Sequence, residues 1–303
     1  MRGRATIEAR TETVPVLESA GIGARRPWSH KEILWLRVLK SPEVQLRPCD
    51  WIFLDQHLGR SRSEVRRQLI DLGLIAYGRR YAVNDLFFDA WSPEVAWVLG
   101  LLMADGHLSR VGSTVHFSSV DRELVEKVRT CLQATHPIRV TDGGPGHKGN
   151  KPLHVLAINR QRLRTAIDRV VGGRLKAERA HVPQVPAEFL RDFVRGYFEG
   201  DGSIFFDERR GNLSVQVSGA TPFVAGLRLC LEAAGIDVPP SIYRCPQARD
   251  TSTLQFQGAK AVRFADFLYR DVNPDLALER KRAVYLRCLE WRRARGLEQR
   301  HAV

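Results

Sequence analysis

Apolar and polar positions along this 303-residue chain change period several times, and each change marks an element. Near the start the spacing is helical. Ser29–Glu32 (SHKE) and Ser61–Glu64 (SRSE) both have the form of a capping box, with serine at the N-cap and glutamate three residues on. They predict helices running to about Leu39 and Leu72, the second with Val65, Leu69 and Leu72 on one face. A third helix is predicted from about Cys49 to Leu58, stopped by Gly59, with Trp28, Trp35 and Trp51 near a small core. Past residue 90 the period alternates between 3.6 and 2. Ser92-Pro93-Glu94 is a helix start, and Val95, Val98, Leu99, Leu102 and Met103 carry that helix to Asp105-Gly106, where glycine lets the chain turn sharply away. A strand, a turn at Val111 to Ser113, a strand from Thr114 to Ser118 and a helix from Asp121 to Leu132 follow. Strands Ile138 to Thr141 and His154 to Ile158, then a helix from Arg160 to Val171, complete the series.

The same order then returns. A proline-initiated helix from Pro186 reaches Asp201, and strands Ser203 to Asp207 and Leu213 to Ser218 flank the turn RRGN. A helix from Pro222, strands near Ser241 to Arg244 and Ser252 to Gln257, and a helix from Ala259 to Tyr269 complete the second series. A long basic helix, about Leu276 to Arg295, closes it. The ends of the two leading helices align without a gap. LGLLMADGHL (Leu99 to Leu108) matches RGYFEGDGSI (Arg195 to Ile204), with Asp201 standing 96 residues after Asp105. A repeat of that period implies a duplicated domain rather than a solenoid. Small residues four apart, Gly100 with Ala104 and Gly196 with Gly200, let the two helix backbones approach closely. Their C-terminal ends would then bring the two aspartates within a few ångströms. An acid at a helix C-terminus faces the negative end of the macrodipole, and two adjacent carboxylates repel. A hard divalent cation such as Mg2+ removes both difficulties.

Charge narrows the partner. The chain holds 47 Lys and Arg against 34 Asp and Glu, a net +13, which favours a polyanion and so nucleic acid. The five cysteines (Cys49, Cys131, Cys230, Cys245, Cys288) are scattered, with no C-x-x-C pair. That argues for a reducing compartment and against zinc or a disulfide framework. No signal peptide and no run of membrane-spanning length is present, so a cytoplasmic, nucleoid-associated protein with no membrane partner is expected. The expected domains are an arm (1–27), a helical unit (28–76), a linker (77–90) and two repeats (91–180 and 181–303).

Two resemblances follow from these motifs. The helical unit, above all LGRSRSEVRRQLIDLGL, resembles the Myb/homeodomain-like helix-turn-helix family. That likeness implies a third helix in the major groove, presenting Arg62, Ser63, Arg66 and Arg67. A small bundle with a solvated basic face fits the same pattern. Residues from about Trp91 to Trp291 resemble the LAGLIDADG homing endonucleases in their single-chain, two-repeat form. This implies an α+β fold of two pseudo-symmetric αββαββα repeats and a monomeric Mg2+-dependent (Mn2+ as substitute) double-strand DNA endonuclease. No obligate protein partner is implied, and the target is long and pseudo-palindromic or asymmetric. Asp105 and Asp201 would bind metal and cut one strand each, with Ala104 and Gly200 completing the metal residues. The basic residues of the two halves would be Lys176 and Lys281. An intron RNA maturase and a non-cleaving helix-turn-helix regulator are the alternatives, and no intein junction signature is present.

In the family the sheet faces opposite the helices grip DNA. Here Ser214, Gln216 and Ser218 in LSVQVS, and Thr253, Gln255 and Gln257 in TLQFQ, alternate with apolar residues. Arg139 and Thr141 do the same in the first half. Such side chains can read base edges, although alternation alone equally describes a solvated sheet. The loops holding Lys148 and Arg209-Arg210 would reach phosphates.

Overall fold

The computed structural model describes residues 26–39, 58–74, 81–109, 112–142, 151–172, 181–244 and 250–297. The predicted helix from Cys49, Trp51, the arm before residue 26, Lys148 and Lys176 lie outside them. The chain divides into two units, Met1–Arg80 and Tyr81–Val303.

In the first unit, helices α1 (His30–Leu39) and α2 (Arg62–Asp71) are described. Both capping boxes form. The Ser29 amide donates to the Glu32 carboxylate at 2.8 Å and the Glu32 amide to Ser29 Oγ at 3.3 Å, and Ser61 with Glu64 repeats the exchange. Leu36, Val65 and Leu69 form the small core, with Trp28 and Leu72 against it. The buried Arg60 guanidinium joins the pieces, pairing with Glu32 at 3.2 Å. Trp35, expected in that core, is 49% exposed. Leu36 is the inward residue of α1, and its neighbour in a 3.6-residue period turns about a quarter of the circumference away.

The second unit is α+β and built twice. The first repeat runs α3 (Pro93–Asp105), β1 (Gly106–Leu108), β2 (Thr114–Ser119), α4 (Arg122–Cys131), β3 (Ile138–Thr141), β4 (Leu153–Asn159), α5 (Gln161–Val171). The second runs α6 (Leu190–Asp201), β5 (Gly202–Asp207), β6 (Asn212–Ala220), α7 (Thr221–Ala233), β7 (Tyr243–Arg244), β8 (Thr251–Gln257), α8 (Gly258–Tyr269). Helix α9 (Glu279–Arg293) follows, shorter than expected because a 3-10 turn at Pro274–Leu276 precedes it. Each repeat forms a four-stranded antiparallel sheet of matching order, β1-β2-β4-β3 and β5-β6-β8-β7. Register matches too. Gly106 opposes Phe117 and His107 opposes His116, as Gly202 opposes Val217 and Ser203 opposes Gln216.

Strand alternation sets the layers. Val115, Phe117, Leu156 and Ile158 of one sheet, and Leu213, Val215, Val217, Leu254 and Phe256 of the other, are buried against the helices. Residues 81–90, expected as linker, belong instead to the first repeat. The Asn84 amide bonds to Leu132 O at 2.9 Å, Tyr81 packs on His136 with ring centroids 5.1 Å apart, and Phe88 lies in the core. Phe87 and Phe88 are large apolar groups, which a solvated linker could not hide.

Candidate active site and nucleic-acid face

The site begins with close packing of α3 on α6. A Cβ added at Gly196 would lie 2.0 Å from Trp97 O, and one at Gly100 would lie 2.2 Å from Phe193 O. Only glycine allows backbones to touch this way. One turn further, a Cβ on Gly200 would stand 2.4 Å from Ala104 Cβ and 3.2 Å from Asp105 Oδ2. The carboxylate of the first repeat therefore lies against the backbone of the second, one residue from Asp201. Asp105 is half-buried and Asp201 exposed. The glycine after each aspartate has a different reason from the one expected. Gly106 and Gly202 are extended (φ −82° and −104°), not left-handed. A Cβ there would strike Leu102 O at 2.3 Å or the Phe198 ring at 2.2 Å.

Tyr197, one residue after Gly196, was not foreseen at this site. Its phenol donates to Ser218 O at 2.9 Å. Burial pushes its pKa well up, and the charges of Asp201 and then Asp105 add to the shift. One hydroxyl thus sits within electrostatic reach of both acids. Leu101 stands at the matching position of α3, so the two half-sites differ.

Beneath Asp201 lies a buried polar cluster. Glu199, 1% exposed, accepts from the Trp97 indole of α3 and from the Leu278 amide, each at 2.8 Å. Burial raises its carboxyl to about 7 against these donors and the charges of Arg195 and Lys281. Lys281, expected as the basic residue of the second half, is 2% exposed. Its ammonium donates to Phe198 O at 2.7 Å, Glu199 O at 3.0 Å and Gly202 O at 2.5 Å. Burial, then the Arg280 charge, lowers it to about 8, with Glu199, Asp121 and Asp201 opposing. An ammonium has three N–H donors, and these three bonds use them. Lys281 is the cap of the helix that ends at Asp201, not a group held out toward a phosphate.

Among the described residues no cluster of three or more His, Cys, Asp or Glu could hold a metal. Two carboxylates with neighbouring backbone oxygens fit Mg2+, which takes one or two carboxylates and completes its shell with water and phosphate. Cys131 is pushed up to about 11 by burial first, and Cys230 and Cys288 are also raised by burial.

The outward sheet faces hold the other candidates. Ser214, Gln216 and Ser218 oppose Gln257, Gln255 and Thr253 in register, all away from the core, and Ser218 and Thr253 share a 2.8 Å hydrogen bond. Arg139 and Thr141 are exposed on β3, but so is Val140. The turn residues Arg209 and Arg210 are exposed, their amides bonded to Asp207. In the other unit Ser63, Arg66 and Arg67 are exposed on α2, which also contains Arg62. Sequence reasoning missed His107 and His116, which face each other across β1 and β2 with rings 5.9 Å apart. The alternation in TVHFSS carried the same signal as that in LSVQVS.

Residues 92–170 match the family model of the LAGLIDADG-like domain. No curated protein matches the chain. Among solved structures, the homing endonuclease I-WcaI bound to its DNA recognition sequence is 10% identical, covering 70% of this chain and 96% of that one at a TM-score of 0.45. I-DmoI in complex with DNA and Mn is 12% identical over 60% of this chain and 98% of that one, TM-score 0.41. The N-terminal LAGLIDADG domain of DUF199/WhiA is 16% identical over 63% and 90%, TM-score 0.40.

Proposed function

We propose that this chain, whose residues 92–170 are a LAGLIDADG-like domain and whose second half repeats that topology, is a divalent-metal-dependent, site-specific double-strand DNA endonuclease. One observation carries the reading. Each repeat ends its leading helix on an aspartate, and glycine packing puts the Asp105 carboxylate against the residue before Asp201. Acids at two helix C-termini are unfavourable for stability, and a shared cation site explains their position. Asp105 and Asp201 would hold the metal, with Ala104 and Gly200 lending backbone. When bound, such a cation activates water and stabilises charge on the phosphate and leaving oxygen.

The chain's own residues set the geometry. Gly100 and Gly196 fix the spacing of the helices, and Lys281 secures the C-terminal carbonyls of the one that ends at Asp201. Tyr197 holds Ser218 O and stands near both acids, fixing the second sheet to the site. The sheet faces would lie in the major groove, which admits a β-ribbon, with Arg209 and Arg210 toward phosphates. The helical unit would add contacts through Arg62, Ser63, Arg66 and Arg67 on α2. DNA is the proposed partner of the single chain, and Mg2+ or Mn2+ the proposed cofactor.

A second reading, a DNA-binding protein of this fold that does not cut, is favoured by the engagement of Lys281 as a helix cap. Selection of cleaved duplexes from a randomised DNA pool in Mg2+, with Ca2+ as the binding-only control, separates the two. Asp105→Asn and Asp201→Asn should each lower cleavage at least a hundredfold, about 3 kcal/mol in barrier, while affinity stays level or rises. A double variant that still cuts both strands ends the proposed mechanism. Binding without cleavage by the unaltered chain favours the second reading.

A further inference from the structure

Two aromatic rings stand out from the second sheet on the face turned away from the core. Phe205 in β5 is 66% exposed and Tyr243 in β7 is 59% exposed. Register places both in the polar rows. Phe205 opposes Ser214, which opposes Gln257, and Tyr243 opposes Thr253. Between those rows run Ser203, Gln216 and Gln255. Phe205 is not a core residue displaced outward: its neighbour Phe206 fills the inner face against Trp291 at 5.9 Å.

The first repeat offers a residue-by-residue contrast. Matching the aspartates puts Ser109 at the position of Phe205 and His107 at that of Ser203, and cross-strand pairing then puts His116 at that of Gln216. Ser109 Oγ lies 3.3 Å from His116 Nε2. One face thus presents imidazoles and a hydroxyl where the other presents an amide and a bare phenyl ring.

In the major groove an A·T pair shows the thymine 5-methyl beside adenine N7 and N6, whereas a G·C pair has no methyl. Glutamine pairs with adenine, and an apolar side chain packs on the methyl. Groups on adjacent strands lie about 5–8 Å apart, close enough for Phe205 and Gln216, its diagonal neighbour on β6, to meet one or two consecutive base pairs. Arg209 and Arg210, exposed at the end of the same hairpin, suit a polyanion. We infer that the second repeat reads A·T pairs by placing the Phe205 ring on a thymine methyl, with Gln216 on adenine, while the first repeat carries Ser109 at the matching position. The target is then asymmetric in composition. This rests on the reading of the sheet faces as the DNA surface.

Uracil provides the test, because it keeps every hydrogen-bonding group of thymine and loses only the methyl. A duplex selected from a randomised pool by the full chain in Ca2+ is remade with uracil for thymine in one half or the other. Replacement in one half should weaken binding about fourfold per contacted methyl, and replacement in the other should weaken it clearly less. Phe205→Ser, the residue its counterpart Ser109 carries, should bind thymine and uracil duplexes equally and melt with the parent. Equal affinity of the parent for both duplexes overturns the inference, as does discrimination that survives Phe205→Ser. A loss divided evenly between the halves overturns it too. If no duplex is selected at all, the DNA reading itself fails. If Phe205→Ser changes the oligomeric state by sedimentation, the ring serves self-association instead.

Discussion

Glu199 sits where a carboxylate has least reason to be, wholly inside the packing between two helices, and its titration should be visible in stability. Its folded pKa of about 7 lies above the ordinary 4.5. The protonated form is therefore favoured by folding. That contribution is fully present below about pH 4.5 and is lost as pH rises through about 7, at most about 3 kcal/mol. Urea unfolding of the parent and of Glu199→Gln at several pH values should give a stability difference that shifts across this window. A constant difference would mean that the Trp97 indole and Leu278 amide keep Glu199 ionised throughout. Lys281 illustrates why a residue's role is hard to read from spacing. Its position in ALERKRAV is compatible with a phosphate contact, and only the fold reveals that three carbonyls of one helix end meet it.

At the scale of elements, the paired helices depend on missing atoms. Gly196→Ala would press a methyl onto the Trp97 carbonyl, backbone against backbone, and should destabilise by about 3 kcal/mol. An alanine at Gly172, left-handed (φ +72°) with open space around it, should lose only about 1 kcal/mol. Thermal melting of the two variants compares them directly, and equal losses would contradict the close contact. This packing was legible beforehand, because small residues four apart are a local signal repeated in both copies. So were the capping boxes and most strands, whose hydrophobic alternation is local too. What escaped was decided by distant partners. Trp35 reads as core until α1 is rotated against α2, Gly106 reads as a turn until Leu102 O is seen above it, and residues 81–90 read as linker until Phe88 finds the first repeat. Tyr197 gave no local sign of meeting both aspartates.

For the whole molecule, the boundary between units falls after Arg80. A fragment of residues 81–303 should therefore melt as cooperatively as the second unit of the full chain, while one starting at residue 90 should melt lower, having lost Phe88 and the Tyr81–His136 contact. The longer fragment should also bind DNA more weakly, with a shallower salt dependence, about 0.9 in log–log slope for each phosphate contact removed. An unchanged slope would place the helical unit off the DNA. Beyond this, the closing segment reaches back a long way. The Lys127 ammonium of α4 donates to Pro274 O and Ala277 O, at 2.8 and 2.6 Å. Arg280 grips Asp121 of the first repeat through two bonds, the Leu278 amide holds the Glu199 carboxylate, and Lys281 finishes the helix bearing Asp201. During synthesis the ribosome releases residues in order, at about 5–20 per second. The first repeat can condense while the second is still being made, but the helix end at Asp201 stays unsecured until residue 281 emerges. A chain that stops before residue 281 lacks these bonds, so its helix end at Asp201 should be less stable than in the full chain even though the glycine contacts that pair the two helices are already made.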